Sequence, residues 1–475
     1  MNKRPFIILS AFLLLFSLIE KGQATETYRP ETSVAGFIQL PGSGRQVYNF
    51  NPGWRFFKGD IHGAESVDFD DRSWTIVSTP HTVELMPAEA SGCRNYQGPA
   101  WYRKHFVLPA ETKGKRVLIH FEAAMGKQVL YLNGKRIQEH VGGYLPFTLD
   151  LTTNGIQAGD SCLLAIFVDN SNDKSFPPGK PQYTLDFAYH GGIYRDVWMI
   201  AKSPVSITDP LDSQTVAGGG VFVHFDKISE KSAQVYVNTE LQNDNQHTET
   251  VTVETTLTDA DGKVIKRTSG KLSLKSGEKK IIRQQIEVKS PKLWSPDAPY
   301  LYKVQSRIKK GNQSIDGGIT RIGIRLAEFR GKDGFWLNGK PFVQLVGANR
   351  HQDFAYVGNA LPNSQQWRDA KRLRDAGCTI IRVAHYPQDP SFMDACDELG
   401  MFVIVATPGW QYWNKDVKFG ELVHQNTREM IRRDRNHPSV LMWEPILNET
   451  RYPLDFALKA LEITKEEFPY PGRPV

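Results

Sequence analysis

From Gly334 onward the chain alternates short apolar runs with amphipathic stretches, and this alternation narrows the possible fold more than any other feature. Val343–Val346, Thr379–Val383, Met401–Val405 and Ser439–Trp443 read as strands. Ser364–Ala376 with Ser364 as N-cap, Pro390–Leu399 closed by Gly400, Glu421–Arg435 and Leu454–Glu467 read as helices. Strands that are largely apolar and feed helices belong to a parallel sheet with helical crossovers. Four such units are too few to close an eight-stranded β/α (TIM) barrel, which takes about 250 residues. A small open doubly wound sheet is the alternative, but no Gly-rich phosphate loop follows any of these strands. The expectation is the first half of a barrel, either as an open half-barrel or as the front part of something longer.

Ahead of Gly334 the pattern is different. Tyr48 to Ile200 holds β-branched and aromatic runs such as Val117–Phe121, Val129–Leu132 and Leu163–Val168, broken by Asn133-Gly134, Gly142-Gly143 and Asn154-Gly155. No helical periodicity is sustained, so residues 45–203 are expected to form a jelly-roll-like sandwich. Gln234–Thr239, Thr250–Leu257 and Lys279–Val288 alternate in character, with Asp259-Ala260-Asp261-Gly262 as a hairpin turn. A last strand pair is expected at Leu301–Ile308 and Gly323–Phe329, after the elbow Leu293-Trp294-Ser295-Pro296. Residues 204–330 thus read as an immunoglobulin-like sandwich, and residues 334–475 as the partial barrel.

The first residues stand apart. Lys3 and Arg4 precede the apolar run Phe6–Ile19, and Gly22-Gln23-Ala24 offers a small-residue cleavage site. This is a secretory signal peptide over residues 1–24. The run is too short for a comfortable membrane anchor. A periplasmic or secreted protein is expected, with no membrane association after cleavage. The charge, +6 from 58 basic and 52 acidic residues, contains no Lys/Arg block and excludes a nucleic-acid footprint. Cys93, Cys162, Cys378 and Cys396 are too few and too scattered for a disulfide scaffold, and buried free thiols are expected.

In a barrel, polar residues at the carboxyl ends of strands build the active site. The first strand runs into Gly347–Asp353, the second into Arg382-Val383-Ala384-His385-Tyr386, the third into Pro408-Gly409-Trp410-Gln411, and the fourth into Glu444–Glu449. His351, His385, Arg382, Trp410, Asn448 and Glu449 would converge. Each alone has a bland reading: a satisfied structural histidine, an ion pair between strand ends, loop packing, or a carboxylate at a helix start. Their coincidence on all four strands favours a site that hydrogen-bonds hydroxyls and stacks on an apolar ring face. Glu444 and Asp353 are read as structural. A carboxylic acid beside an amide suits glycoside hydrolysis, in which retaining enzymes set two carboxyl groups about 5–5.5 Å apart. Glu449 can be the acid/base, but Glu462, Glu466 and Glu467 fall on the last helix and no second strand-end carboxylate follows.

At these residues the chain resembles glycoside hydrolase family 2, most closely its exported β-galactosidase-like members. The resemblance rests on Asn436-His437-Pro438-Ser439-Val440, Leu447-Asn448-Glu449, Gly347-Ala348-Asn349-Arg350-His351, Arg382–Pro387, Asp186–Val197 and Leu293-Trp294-Ser295-Pro296. It implies Glu449 as acid/base, Asn448 at the sugar 2-hydroxyl, His351 and His385 as sugar contacts, Asp186 reaching in from the first domain, and Arg382 supporting the carboxylates. Trp443 to Glu449 is one residue longer than in the best-known members, which implies a bulge at that strand end. The third strand lacks the Glu and His that hold magnesium in those members, so no metal or cofactor is expected. The nucleophile of the family lies on a seventh barrel strand that this chain does not contain, so a truncated product is expected.

The resulting expectation is a retaining β-glycosidase acting on a carbohydrate, truncated in its barrel and nearly inactive alone, with homo-oligomerisation open. The rival readings are a non-catalytic carbohydrate-binding protein and a truncated product with no stable function. If the leader is read correctly, N-terminal sequencing of the exported protein starts near Thr25. An intact Met1 on a cytoplasmic protein would contradict it.

Overall fold

The structure, a computed structural model, describes residues 38–87, 95–185, 187–342, 344–447 and 449–475. The leader 1–24, Cys93, Asp186, Val343 and Asn448 lie outside the described residues. Cys162, Cys378 and Cys396 are free thiols. Among the described residues no helix is long and apolar enough to cross a membrane.

The first sandwich packs two antiparallel sheets face to face. One has six strands in the order Thr75–Val77, Trp54–Lys58, Pro99–Val107, Ser161–Asp169, Gly126–Leu132 and Lys135–Gly142; the other pairs Gln46–Asn49, Val197–Lys202, Arg116–Phe121 and Phe147–Asp150. Alternate residues point inward, and Trp54, Leu130, Ile166, Ile119 and Phe121 fill the space between the sheets. The second sandwich has its own core of Val235, Val237, Leu257, Val304 and Ile308. Its long strand Ser232–Asn243 pairs with Lys279–Lys289 on one side and with Val205–Ile207 and Val221–Asp226 on the other.

Two strands of this sandwich differ from expectation. Tyr302–Lys310 pairs with Gln313–Ile322, not with a strand at Gly323–Phe329. Val264–Leu274 is an additional edge strand. Most of its side chains are exposed, so it lacks the apolar alternation that marks a strand in sequence.

The last part is a parallel sheet of four strands in chain order, β1 (Gly347–Arg350), β2 (Ile380–Val383), β3 (Phe402–Ala406) and β4 (Val440–Glu444). Its helices are α1 (Asn363–Asp375), α2 (Pro390–Leu399), α3 (Val417–Asp434) and α4 (Leu454–Glu467). Ile381, Val383, Val403, Val405 and Trp443 join Phe392, Met430 and Ile431 in the helix-side core. β1 follows the apolar run Val343–Val346 where a strand was expected, because pairing registers Asn349 with Arg382 and Arg350 with Val383. α1 starts one residue early behind Pro362, so Ser364 is not its cap, and α3 begins at Val417 with the Asp416 carboxylate accepting from Lys418 N. The one register irregularity in this sheet falls between Val403 and Ile404.

The second sandwich is bolted to the barrel strands by the residues around β4. Asn436 donates from Nδ2 to Val221 O at 2.7 Å and accepts from Val223 N at 3.0 Å, completing the edge of a sandwich strand. Arg325 donates to Pro438 O at 2.7 Å. Trp294 is fully buried and donates from Nε1 to Asp397 O at 2.9 Å. Asp397 also meets His437 Nδ1 at 2.6 Å and accepts from Ser439 N. Burial pulls the His437 imidazole down, but Asp397, Asp394 and Asp434 together outweigh it and the net shift is upward. Asp394, Asp397 and His437 cluster closely enough to hold a cation. Arg321 already meets Asp394 at 2.6 Å, so the charge there is matched by protein groups.

Candidate active site

The carboxyl ends of β1, β2 and β3 carry an aromatic wall. The His385 ring lies parallel to Trp410, centroids 5.1 Å apart at 6°. His351 meets His385 edge-on at 5.7 Å and its Nδ1 stands 3.2 Å from the Tyr386 hydroxyl. Phe187, from the loop of the first sandwich that follows Asp186, stacks on His351 at 4.6 Å and reaches to 6.3 Å from Trp410. Flat apolar faces beside imidazole nitrogens suit a sugar ring, whose C–H face stacks while its hydroxyls hydrogen-bond.

Glu449 stands at the rim, exposed, and its Oε2 accepts from Gln411 Nε2. Its backbone is left-handed at φ 59°, as is that of Gln411 at φ 51°. Non-glycine residues in this region are held by their surroundings at a cost of about 1–3 kcal/mol each, and such positions cluster at functional sites. Asn448, beside Glu449, lies outside the described residues, as does Asp186.

Arg382 shows what strand pairing does to a site residue. Its guanidinium binds the Glu444 carboxylate in two-pronged fashion, at 2.8 Å and 2.6 Å, and stands 3.5 Å from Asn349 Oδ1. It therefore ties β2 to β4 across β3 on the sheet face away from the helices.

The first sandwich holds the site together through consecutive residues. Arg195, fully buried, donates to Tyr144 O at 3.0 Å, to Gln352 Oε1 at 2.9 Å and to Pro387 O at 2.8 Å. The last two follow His351 and the His385-Tyr386 pair, so one guanidinium fixes both strand ends. Asp196 accepts from Asn51 Nδ2 at 2.8 Å and from Asn363 Nδ2, at the start of α1, at 2.9 Å. Tyr144 stacks on Tyr386 at 4.0 Å. Phe187, Lys180, Gln411 and Arg195 all shape the site, and none was a candidate from sequence alone. Phe187 and Arg195 could have been found, since both lie inside the Asp186–Val197 motif.

A cavity of about 830 Å³ lies elsewhere, between the two sandwiches, lined by Leu108, Lys113, Arg116, Thr152, Gln242 and Asp244. Arg116 is paired there with Asp150 and Asp244. That groove brings together no group resembling the strand-end cluster.

Three models of glycosyl hydrolases family 2 match the chain: its sugar binding domain over residues 64–204, a second domain over 219–325 and its TIM barrel domain over 329–467. A β-galactosidase of Thermoanaerobacter pseudethanolicus is 36% identical over 426 residues, covering 88% of this chain and 54% of that enzyme. A β-glucuronidase of Formosa agariphila is 32% identical over 421 residues, covering 85% and 42%. The crystal structure of a Bacteroides uniformis β-glucuronidase superposes with a TM-score of 0.80 at 30% identity, over 90% of this chain and 52% of that one. The chain spans about half the length of the relatives it matches.

The seam between sandwich and barrel carries a pH signature. Burial first, and Asp389 second, push the Asp196 carboxyl up to about 6. A raised folded value means that the folded chain binds this proton more tightly than the unfolded chain. Stability therefore grows as pH falls through the folded value toward the unfolded value near 3.8. In denaturant titrations the native protein should gain about 1 kcal/mol relative to Asp196→Asn between about pH 7.5 and about pH 5. A difference between the two proteins that does not vary with pH would contradict this assignment.

Proposed function

The chain belongs to glycosyl hydrolase family 2, and we propose that its strand-end cluster is the sugar site of a retaining β-glycosidase acting on β-galactosides. The observation that supports this most is the convergence of His351, His385, Trp410 and Glu449 at the ends of four parallel strands, walled by Phe187 from the sugar binding domain. In this reading Glu449 protonates the leaving oxygen and later deprotonates the attacking water. Asn448 holds the 2-hydroxyl, His351 and His385 hold other hydroxyls, Trp410 carries the ring face, and Asp186 reaches in from the first domain. Arg382 acts through Glu444, keeping the ends of β2 and β4 in register. Export by the leader belongs to the same proposal.

A covalent intermediate needs a second carboxylate at the anomeric carbon. Among the described residues after Glu449, Asp455, Glu462, Glu466 and Glu467 all lie on α4, and Glu467 is buried against Arg432 at 2.5 Å. Among the described residues after Glu449, none thus offers a strand-end carboxylate to partner it.

The expected behaviour of the 475-residue chain is calorimetrically detectable binding of an aryl β-galactoside in preference to the aryl β-glucuronide, with only trace turnover. Glu449→Gln should retain the binding and remove the trace. Robust turnover by this chain would contradict the one-carboxylate account. Turnover indifferent to Glu449→Gln would contradict the role given to Glu449.

A further inference from the structure

Lys180 belongs to the first sandwich, yet its ammonium group lies in the barrel site. Nζ stands 4.0 Å from the centre of the Trp410 ring and donates to Gln411 Oε1 at 2.5 Å. Gln411 in turn donates from Nε2 to Glu449 Oε2. Lys180 itself is nearly buried, at 8% exposure, so this contact is not that of a waving surface lysine.

The loop bearing Lys180 is built to be there. Gly179 has φ +72°, and a Cβ at that position would lie 2.5 Å from Tyr412 in the loop after β3. Only glycine allows so close an approach. Asn414 Nδ2 donates to Lys174 O at 2.7 Å, and the Tyr189 hydroxyl donates to Lys180 O at 3.1 Å. The carbonyls on either side of Gly179 are thus tied to the barrel loop and to the sandwich.

We infer that Lys180 and Gln411 form a positioning relay, spanning the boundary between sandwich and barrel, that selects which oxygen of Glu449 carries the transferable proton. The inference rests on the reading of Glu449 as proton donor. An ammonium group can only donate, so Lys180 fixes the carbonyl end of the Gln411 amide toward itself. The amide nitrogen must then face Glu449 and donate to Oε2. An oxygen that accepts from an amide N–H cannot direct its own proton along the same line. The proton of the neutral acid therefore resides on Oε1, the oxygen left to face the substrate. Without Lys180 the amide can turn over, present its carbonyl to Glu449 and hold that proton away from the substrate. The left-handed backbones of Gln411 and Glu449 belong to this arrangement, since both residues are held at unfavourable φ where they meet.

The decisive test is the Gln411 side-chain amide signal in proton–nitrogen correlation spectra of the whole chain, identified by its loss in Gln411→Ala. The relay predicts that Lys180→Met and Glu449→Ala each move that signal to the position of a free amide, and that Lys180→Arg restores it. A signal indifferent to Lys180→Met overturns the relay. Calorimetry then reads the consequence. The native chain should prefer β-galactosylamine, with its basic anomeric nitrogen, over the matching O-methyl galactoside, and Lys180→Met should cut that preference about tenfold. A preference untouched by Lys180→Met also overturns the relay. A preference untouched by Glu449→Gln, with the amide signal still responding to Lys180→Met, overturns instead the assignment of Glu449 as proton donor.

Discussion

The guanidinium of Arg195 ties the first sandwich to two of the barrel strand ends. It leaves a sandwich loop, lies fully buried, and donates to the carbonyl of Tyr144, the side-chain oxygen of Gln352 and the carbonyl of Pro387. A buried charge of this kind is costly to strand: removing one partner from such a network typically costs about 3–5 kcal/mol. Since Gln352 follows His351 and Pro387 follows His385 and Tyr386, the positions of both imidazoles depend on a residue more than a hundred and fifty positions upstream. The neighbouring Asp196 seats the start of α1 in the same way.

This explains why a half-barrel sheet holds an ordered set of strand ends. An isolated parallel sheet with helices on one face leaves its other face and both edges unsatisfied. Here part of that deficit is met within the chain, while β1 stays exposed over Gly347–Asn349. Arg382 and Glu444 bridge β2 and β4 on the face away from the helices. Asn436 and Arg325 fasten the entry to β4 onto the second sandwich, and Trp294 plugs the gap beside Phe402. The motif Asn436-His437-Pro438 thus works as a structural seam that sets β4, and with it the loop carrying Glu449.

What could be read from the sequence follows from how local each signal is. The apolar runs of β2, β3 and β4 and the helices between them are visible because a strand buried against helices must be apolar. β1 was displaced by four residues because its paired residues include Asn349 and Arg350, whose polar side chains find partners only in three dimensions: Arg350 meets Asp369 at 2.6 Å, and Asn349 stands beside Arg382. His351, His385 and Trp410 could be named from their place after strands. Lys180 could not, since its meaning depends on Gln411, 231 positions away. Residues whose role is to join two domains leave no periodicity and no spacing in the chain.

The central claim is that the sugar site is composite, with its wall and proton donor on the barrel strand ends and its closure supplied by the first sandwich. A crystal structure of the 475-residue chain soaked with galactose tests this most directly. The account predicts one sugar with its ring face against the Trp410–His385 stack, its anomeric oxygen toward Glu449, and Phe187 and Lys180 at its border. A sugar found instead in the groove between the two sandwiches, beside Arg116 and Asp244, with the strand-end cluster empty, would contradict it.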